Sequence, residues 1–103
     1  MKELIDKLNG LQIRQTGIDW VEDIPEDIYE EYIKTSKERE YNLNINTRRW
    51  YELSTTVIDI NSVFIGIKHI SNIFSESMDC SDLMHTLEFF EMKEVQTITY
   101  EAI

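Results

Sequence analysis

Seven carboxylates stand between Asp19 and Glu31 with no lysine or arginine among them: Asp19, Glu22, Asp23, Glu26, Asp27, Glu30 and Glu31. They are spaced alternately three residues and one residue apart. On a helix, positions three and four apart share a face, so any helical part of this run carries a stripe of negative charge. Each like-charged pair four apart costs a few tenths of a kcal/mol, so the five such pairs in one continuous helix would cost on the order of 1–2 kcal/mol. Neighbouring carboxylates on such a face lie roughly 5–6 Å apart. That is within a factor of about two of the phosphate spacing along one DNA strand. Such a stripe can imitate a nucleic-acid backbone toward a basic groove. It can also offer oxygens to a hard cation, but no calcium-loop pattern with its glycine is present. The plain alternative is a solvated helix face.

Other residues of reactive type are less organised. Cys80 and His85 are five apart and His69 is distant, with no Cys-x-x-Cys or His-x-x-x-His pairing, so there is no zinc signature. Cys80 stands beside Asp79 and near Asp82, a negative field that raises a thiol pKa and argues against a nucleophile. Arg48-Arg49-Trp50-Tyr51 joins two bases to two aromatics, which can meet phosphates and stack on bases. The preferred reading is that this arginine pair answers the protein's own carboxylates while Trp50 packs in the core. Asp59, Glu88, Glu91 and Glu94 could supply paired acid and base groups. With no substrate-binding framework visible around them, outward-facing strand residues are the better account.

The elements that must position these groups divide near residue 42, with 1–42 mainly helical and 43–103 mainly β. Leu4, Ile5, Leu8 and Leu11 predict a short amphipathic helix stopping near Asn9-Gly10. The single proline, Pro25, suits the first turn of a helix running to about Lys37. Glu26 and Asp27 then meet the positive end of its dipole, and Lys34, Lys37 and Arg39 fall toward the negative end. The acidic run is compatible with one helix or with two pieces either side of Pro25. Trp20, Val21 and Ile24 form an apolar cluster ahead of it.

Further on, the β-formers of 55–60 and 63–70 flank Asn61-Ser62, a hairpin signal, with Val63, Ile65 and Ile67 alternating onto one face. A polar loop covers 75–82, with one helical turn at about 81–85. Two more strands are predicted at about 86–92 and 95–100, with Lys93-Glu94 at their turn and Ile98 and Tyr100 on one face. The sum is an α+β class: a single domain with a four-stranded, mostly antiparallel sheet and one or two N-terminal helices on one face.

Composition bounds the function. The 103 residues carry a formal net charge of −10, with 42% hydrophobic and 11% aromatic residues, three glycines and one proline. That suits one self-standing core rather than a disordered chain. The charge disfavours direct contact with nucleic acid or an anionic membrane and favours a basic partner. A lone cysteine fits a reducing compartment. The charged N-terminus has no signal-peptide core, and no apolar stretch is long enough to span a bilayer.

The second half has a further character. Arg48-Arg49-Trp50-Tyr51-Glu52 with Ser54-Thr55-Thr56-Val57, then Phe64-Ile65-Gly66-Ile67, Phe74-Ser75-Glu76-Ser77-Met78, and Phe89-Phe90-Glu91-Met92 running into 94–100 resemble small uncharacterised proteins of phages and prophages of Gram-positive bacteria. The resemblance covers roughly 48–101 and carries no known chemistry. It implies a phage accessory protein in a bacterial cytoplasm. The acidic run lies outside it.

These readings converge on binding rather than catalysis. The expected contact surface is Asp19, Glu22, Asp23, Glu26, Asp27, Glu30 and Glu31, with Trp20 and Tyr29 as aromatic anchors at its edge. The expected partner is a host protein with a basic nucleic-acid-binding surface, most concretely a CRISPR effector nuclease, which makes the chain an anti-CRISPR-type inhibitor and DNA mimic. No cofactor and no metal are expected, and a homodimer is compatible with the pattern. The alternative is a structural or interaction protein, able to self-associate through an exposed sheet edge or an apolar face, whose acidic face serves solubility alone.

Overall fold

The computed structural model describes residues 2–95 and 99–103. Helices and an antiparallel sheet make it α+β. The sheet has five strands among the described residues, not four: β1 Lys37–Thr47, β2 Tyr51–Ile60, β3 Val63–Ile73, β4 Glu88–Val95 and β5 Thr99–Ala102, in the order β1-β2-β3-β4-β5. Each strand pairs with its sequence neighbour.

The additional strand is β1, which falls where the sequence suggests helix and linker. Its register against β2 slips three times, and Asn44 takes a positive φ of 52°. Such bulges twist an edge strand and blunt it against unwanted pairing. The helix expected to reach Lys37 stops earlier, so Lys37 and Arg39 are strand residues. Arg39 Nη2 meets Asp59 Oδ2 at 3.0 Å across the β1–β2 pair.

The β2–β3 hairpin forms at the expected place. Asn61 and Ser62 both take positive φ, 51° and 69°, the primed turn whose twist matches the strands. Lys93 and Glu94, expected at a turn, instead lie inside β4, opposite Glu101 and Tyr100 of β5. The expected placement of Ile98 and of the rest of 96–98 lies outside the described residues.

Helix α1, Lys2–Gly10, buries Leu4, Ile5 and Leu8 against the sheet. Together with Ile13, Trp20, Ile24, Ile28 and Ile33 they cover Ile58, Ile60, Ile65, Ile67 and Phe89 on one sheet face. The opposite face carries its own smaller cluster of Val57, Met92 and Tyr100, with Leu43, Phe64 and Phe90 against it. Leu43 is on β1 and Tyr100 on β5, the two ends of the strand order, so the sheet curls around this second cluster. Among the described residues no helix is long and apolar enough to cross a membrane.

Candidate functional site

Pro25 breaks the acidic run. Before it, Trp20–Asp23 is a single 3-10 turn. After it come one α-helical turn, Glu26–Ile28, and a π-helical turn, Tyr29–Ile33, which together form α2. The Lys34 N–H reaches back to the Tyr29 carbonyl at 2.8 Å, the wide i→i−5 closure. The pairs 19–23, 22–26 and 23–27 therefore do not lie on one helix, and the continuous stripe is replaced by two short acidic arcs.

Within these arcs the carboxylates have different occupations. Asp19 caps the 3-10 turn, its Oδ1 accepting from the Val21 N–H at 3.3 Å. Asp23 accepts from the Thr16 N–H at 2.9 Å and the Thr16 hydroxyl at 2.6 Å, so it pins the preceding loop. Glu30 takes the Lys34 ammonium at 3.2 Å. Glu22, Glu26, Asp27 and Glu31 are exposed and make no ion pair among the described residues. The Glu31 charge, followed by burial, raises the pKa of the neighbouring Tyr32 phenol.

Between the arcs lies an open, largely apolar hollow of about 330 Å³ lined by Val21, Glu22, Ile24, Glu26 and Tyr29. A second hollow of about 200 Å³ adjoins it, sharing Val21 and Tyr29 and adding Trp20, Ile33, Ser36, Glu38 and Ile58. The arrangement is an apolar floor with a carboxylate rim. It suits a partner that brings an apolar side chain flanked by lysine or arginine. Among the described residues no group of three His, Cys, Asp or Glu side chains is close enough to hold a metal ion.

The two expected aromatic anchors differ in exposure. Tyr29 is half-buried and lines both hollows. Trp20 lines the second hollow but is only 7% exposed and part of the core, its ring centroid 6.3 Å from that of His69, so it stands in the floor rather than at an exposed edge. The opposite correction holds for Trp50. It is 44% exposed in the β1–β2 turn, with the Arg49 guanidinium 4.6 Å from its ring centroid. A cation–π contact takes the place of core packing there.

The remaining reactive residues disperse. Burial first, then the Asp79 and Asp23 charges, pushes the Cys80 thiol pKa up. His69 is buried, its Nδ1 donating to the Ile70 carbonyl at 3.1 Å and its Nε2 2.7 Å from the Thr56 hydroxyl. Burial is the main cause lowering its pKa, the Ile70 hydrogen bond opposes it, and His85 adds a smaller push downward. Asp59 is held by Arg39 and the Ser62 N–H. Glu88 and Glu91 sit three apart on β4 and so face opposite sides of the sheet. Glu94's side chain lies outside the described set.

The sequence reading missed Gln15 and Asn9, two side-chain amides that complete the sheet. The Asn9 amide accepts from the Phe89 N–H at 2.9 Å and donates to its carbonyl at 2.8 Å, docking the end of α1 on β4. Gln15 does the same for Ile70. Neither amide has a motif, and only the Asn-Gly stop at 9–10 was legible.

The chain matches no family model, no curated protein and no solved structure, so what it does must be read from its surface.

Proposed function

We propose that this protein acts by binding, presenting Glu22, Glu26, Asp27, Glu30 and Glu31 to the basic, nucleic-acid-binding surface of another protein and blocking it. The observation that supports this is the hollow between Val21, Ile24 and Tyr29, set among carboxylates of which one, Glu30, pairs with a base among the described residues. A groove built for phosphates gains from meeting such a rim. The apolar floor adds an anchor that a merely solvated acidic face would not need.

The most concrete version is an anti-CRISPR-type inhibitor carried by a phage and working in the bacterial host's cytoplasm. RNA-guided nucleases hold their heteroduplex in positively charged channels and read a short flanking motif with arginines, an obvious landing place for an acidic decoy. The phage setting is taken from the resemblance of 48–101 and is part of the proposal. No catalysis, cofactor or direct contact with nucleic acid or membrane is part of this reading.

The test is inhibition of nucleic-acid cleavage by a purified effector, with the wild-type chain and a Glu22→Lys, Glu26→Lys, Asp27→Lys, Glu31→Lys variant. Inhibition should weaken steeply with salt, compete with nucleic acid and vanish in the variant. A folded variant that inhibits as well as wild type rules the mechanism out.

A second reading is self-association through β1. It is favoured by Ile45, 56% exposed on that edge strand, and opposed by the bulges that twist the edge. Light scattering across concentration separates the two, because pairing at a strand edge would be nearly indifferent to salt and would survive reversal of the acidic residues.

A further inference from the structure

The sheet face turned away from the helices holds a hollow of about 350 Å³ to which all five strands contribute. Its centre is one cross-strand rung, Thr55 on β2, Lys68 on β3 and Glu88 on β4. Lys68 is half-buried and makes no ion pair among the described residues, although Glu88 is directly opposite it. A cation and an anion thus stand side by side in one hollow without an ion pair between them.

The next rung supplies an aromatic wall. Phe90 lies opposite Gly66, and a Cβ on Gly66 would come 2.7 Å from Phe90 Cε2 and 2.5 Å from Met92 Sδ. The missing side chain is what lets the ring lie down on the sheet. On the far side, the bulged β1, with a positive φ at Asn44, places Asn44 and Asn46 in the hollow's lining.

We propose that this hollow is a binding site for a small zwitterion with an aromatic side group, an aromatic α-amino acid being the simplest. The ligand's carboxylate meets Lys68, its ammonium meets Glu88, and its ring packs on Phe90. In an amino acid the two charged groups are joined through one carbon, a separation that fits neighbouring residues of one rung. Asn44, Asn46 and Thr55 offer donors and acceptors to the remaining polar edge. The site lies on the face opposite the acidic hollow and is independent of what that surface binds.

The test is a titration of the full-length protein with L-phenylalanine, followed by amide chemical shifts. Two probes, each lacking one charge, serve as controls: phenylpropionate and phenethylamine. The expected result is saturable shifts at Thr55, Lys68, Glu88 and Ala102, with affinity at least about tenfold weaker for either control. Lys68→Met and Glu88→Gln should each weaken phenylalanine binding by a similar factor while leaving the melting curve unchanged. Absence of saturable shifts overturns the proposal. So do equal binding of the three probes and full binding by Lys68→Met.

Discussion

The side-chain amide of Gln15 hydrogen-bonds both backbone groups of Ile70. Its Nε2 donates to the Ile70 carbonyl at 2.9 Å, and its Oε1 accepts from the Ile70 N–H at 2.7 Å. Beyond Lys68, β4 no longer pairs with β3, and the amide takes the place of the missing strand. Gln15 is completely buried, and its Nε2 also reaches the Gly17 carbonyl at 2.8 Å. One side chain therefore fixes the loop between α1 and the acidic arcs to the centre of the sheet.

Gln15→Leu should destabilise the fold by about 2–6 kcal/mol, because a buried N–H and carbonyl each lose a partner at about 1–3 kcal/mol apiece. Gln15→Glu should be at least as damaging, since an ionised carboxylate accepts from the Ile70 N–H but cannot donate to its carbonyl, and its charge is buried. Urea unfolding measures both. A loss under about 0.5 kcal/mol for Gln15→Leu would mean that water replaces the amide.

His69 sets a pH dependence. Its folded pKa lies below 6.5, its ordinary value, chiefly because burial disfavours the imidazolium. Above 6.5 both folded and unfolded chains hold it neutral, and it contributes no slope. As pH falls through 6.5 the unfolded chain takes up the proton first, so stability drops by up to about 1.4 kcal/mol per pH unit until the folded pKa is reached. Asp59 and Asp79 act in a separate, lower window. Their pKa values are lowered, by the Arg39 hydrogen bond and the Ser81 hydroxyl respectively. Their stabilisation is complete above 3.8 and is lost as pH falls through the folded values. Unfolding measured from pH 7 to 5 should show the His69 slope, and His69→Gln should abolish it.

Gly66 should tolerate no side chain. Gly66→Ala places a methyl against Met92 Sδ and the Phe90 ring, and overpacking of this kind costs about 1–3 kcal/mol. Since Gly66 has no positive φ, the cost is steric rather than conformational. Combining Gly66→Ala with Met92→Ala should therefore recover part of the loss relative to the sum of the two single changes, a coupling that a double-mutant cycle reads directly.

What could be read from the sequence was what local spacing controls. Leu4, Ile5 and Leu8 mark α1, and Asn61-Ser62 marks the hairpin, because each signal lies within a few residues. β1 was illegible for the same reason. It is an edge strand with mostly polar residues and a register broken by bulges, so it lacks a sustained buried alternation. The two tryptophans show the limit most clearly. Both sit beside charged residues, yet Trp20 is buried with its ring near His69 while Trp50 stays 44% exposed with Arg49 against its ring. That difference comes from chain topology. Within the site, the carboxylates were visible as charge, but their division of labour depended on Thr16, Lys34 and the break at Pro25.

That division supplies the last prediction. Asp23 holds both the N–H and the hydroxyl of Thr16, so Asp23→Ala should cost about 1 kcal/mol even at this partly exposed position. Glu31 is hydrogen-bonded by the Tyr32 phenol, and Glu26 and Asp27 face the positive end of the α2 dipole, but Glu22, Glu26, Asp27 and Glu31 pair with no base among the described residues and repel one another, so replacing each by glutamine should change stability by no more than a few tenths of a kcal/mol. Any gain should be largest at low ionic strength and fade as the Debye length shrinks toward about 10 Å at 0.1 M salt. Thermal melts of the five single variants at low and moderate salt check this. If the four glutamine variants were all destabilised like Asp23→Ala, their carboxylates would be holding the fold together, and the acidic hollow would lose its claim to be a surface kept for a partner. If they are neutral or stabilising, the native chain keeps four charges that its stability does not require.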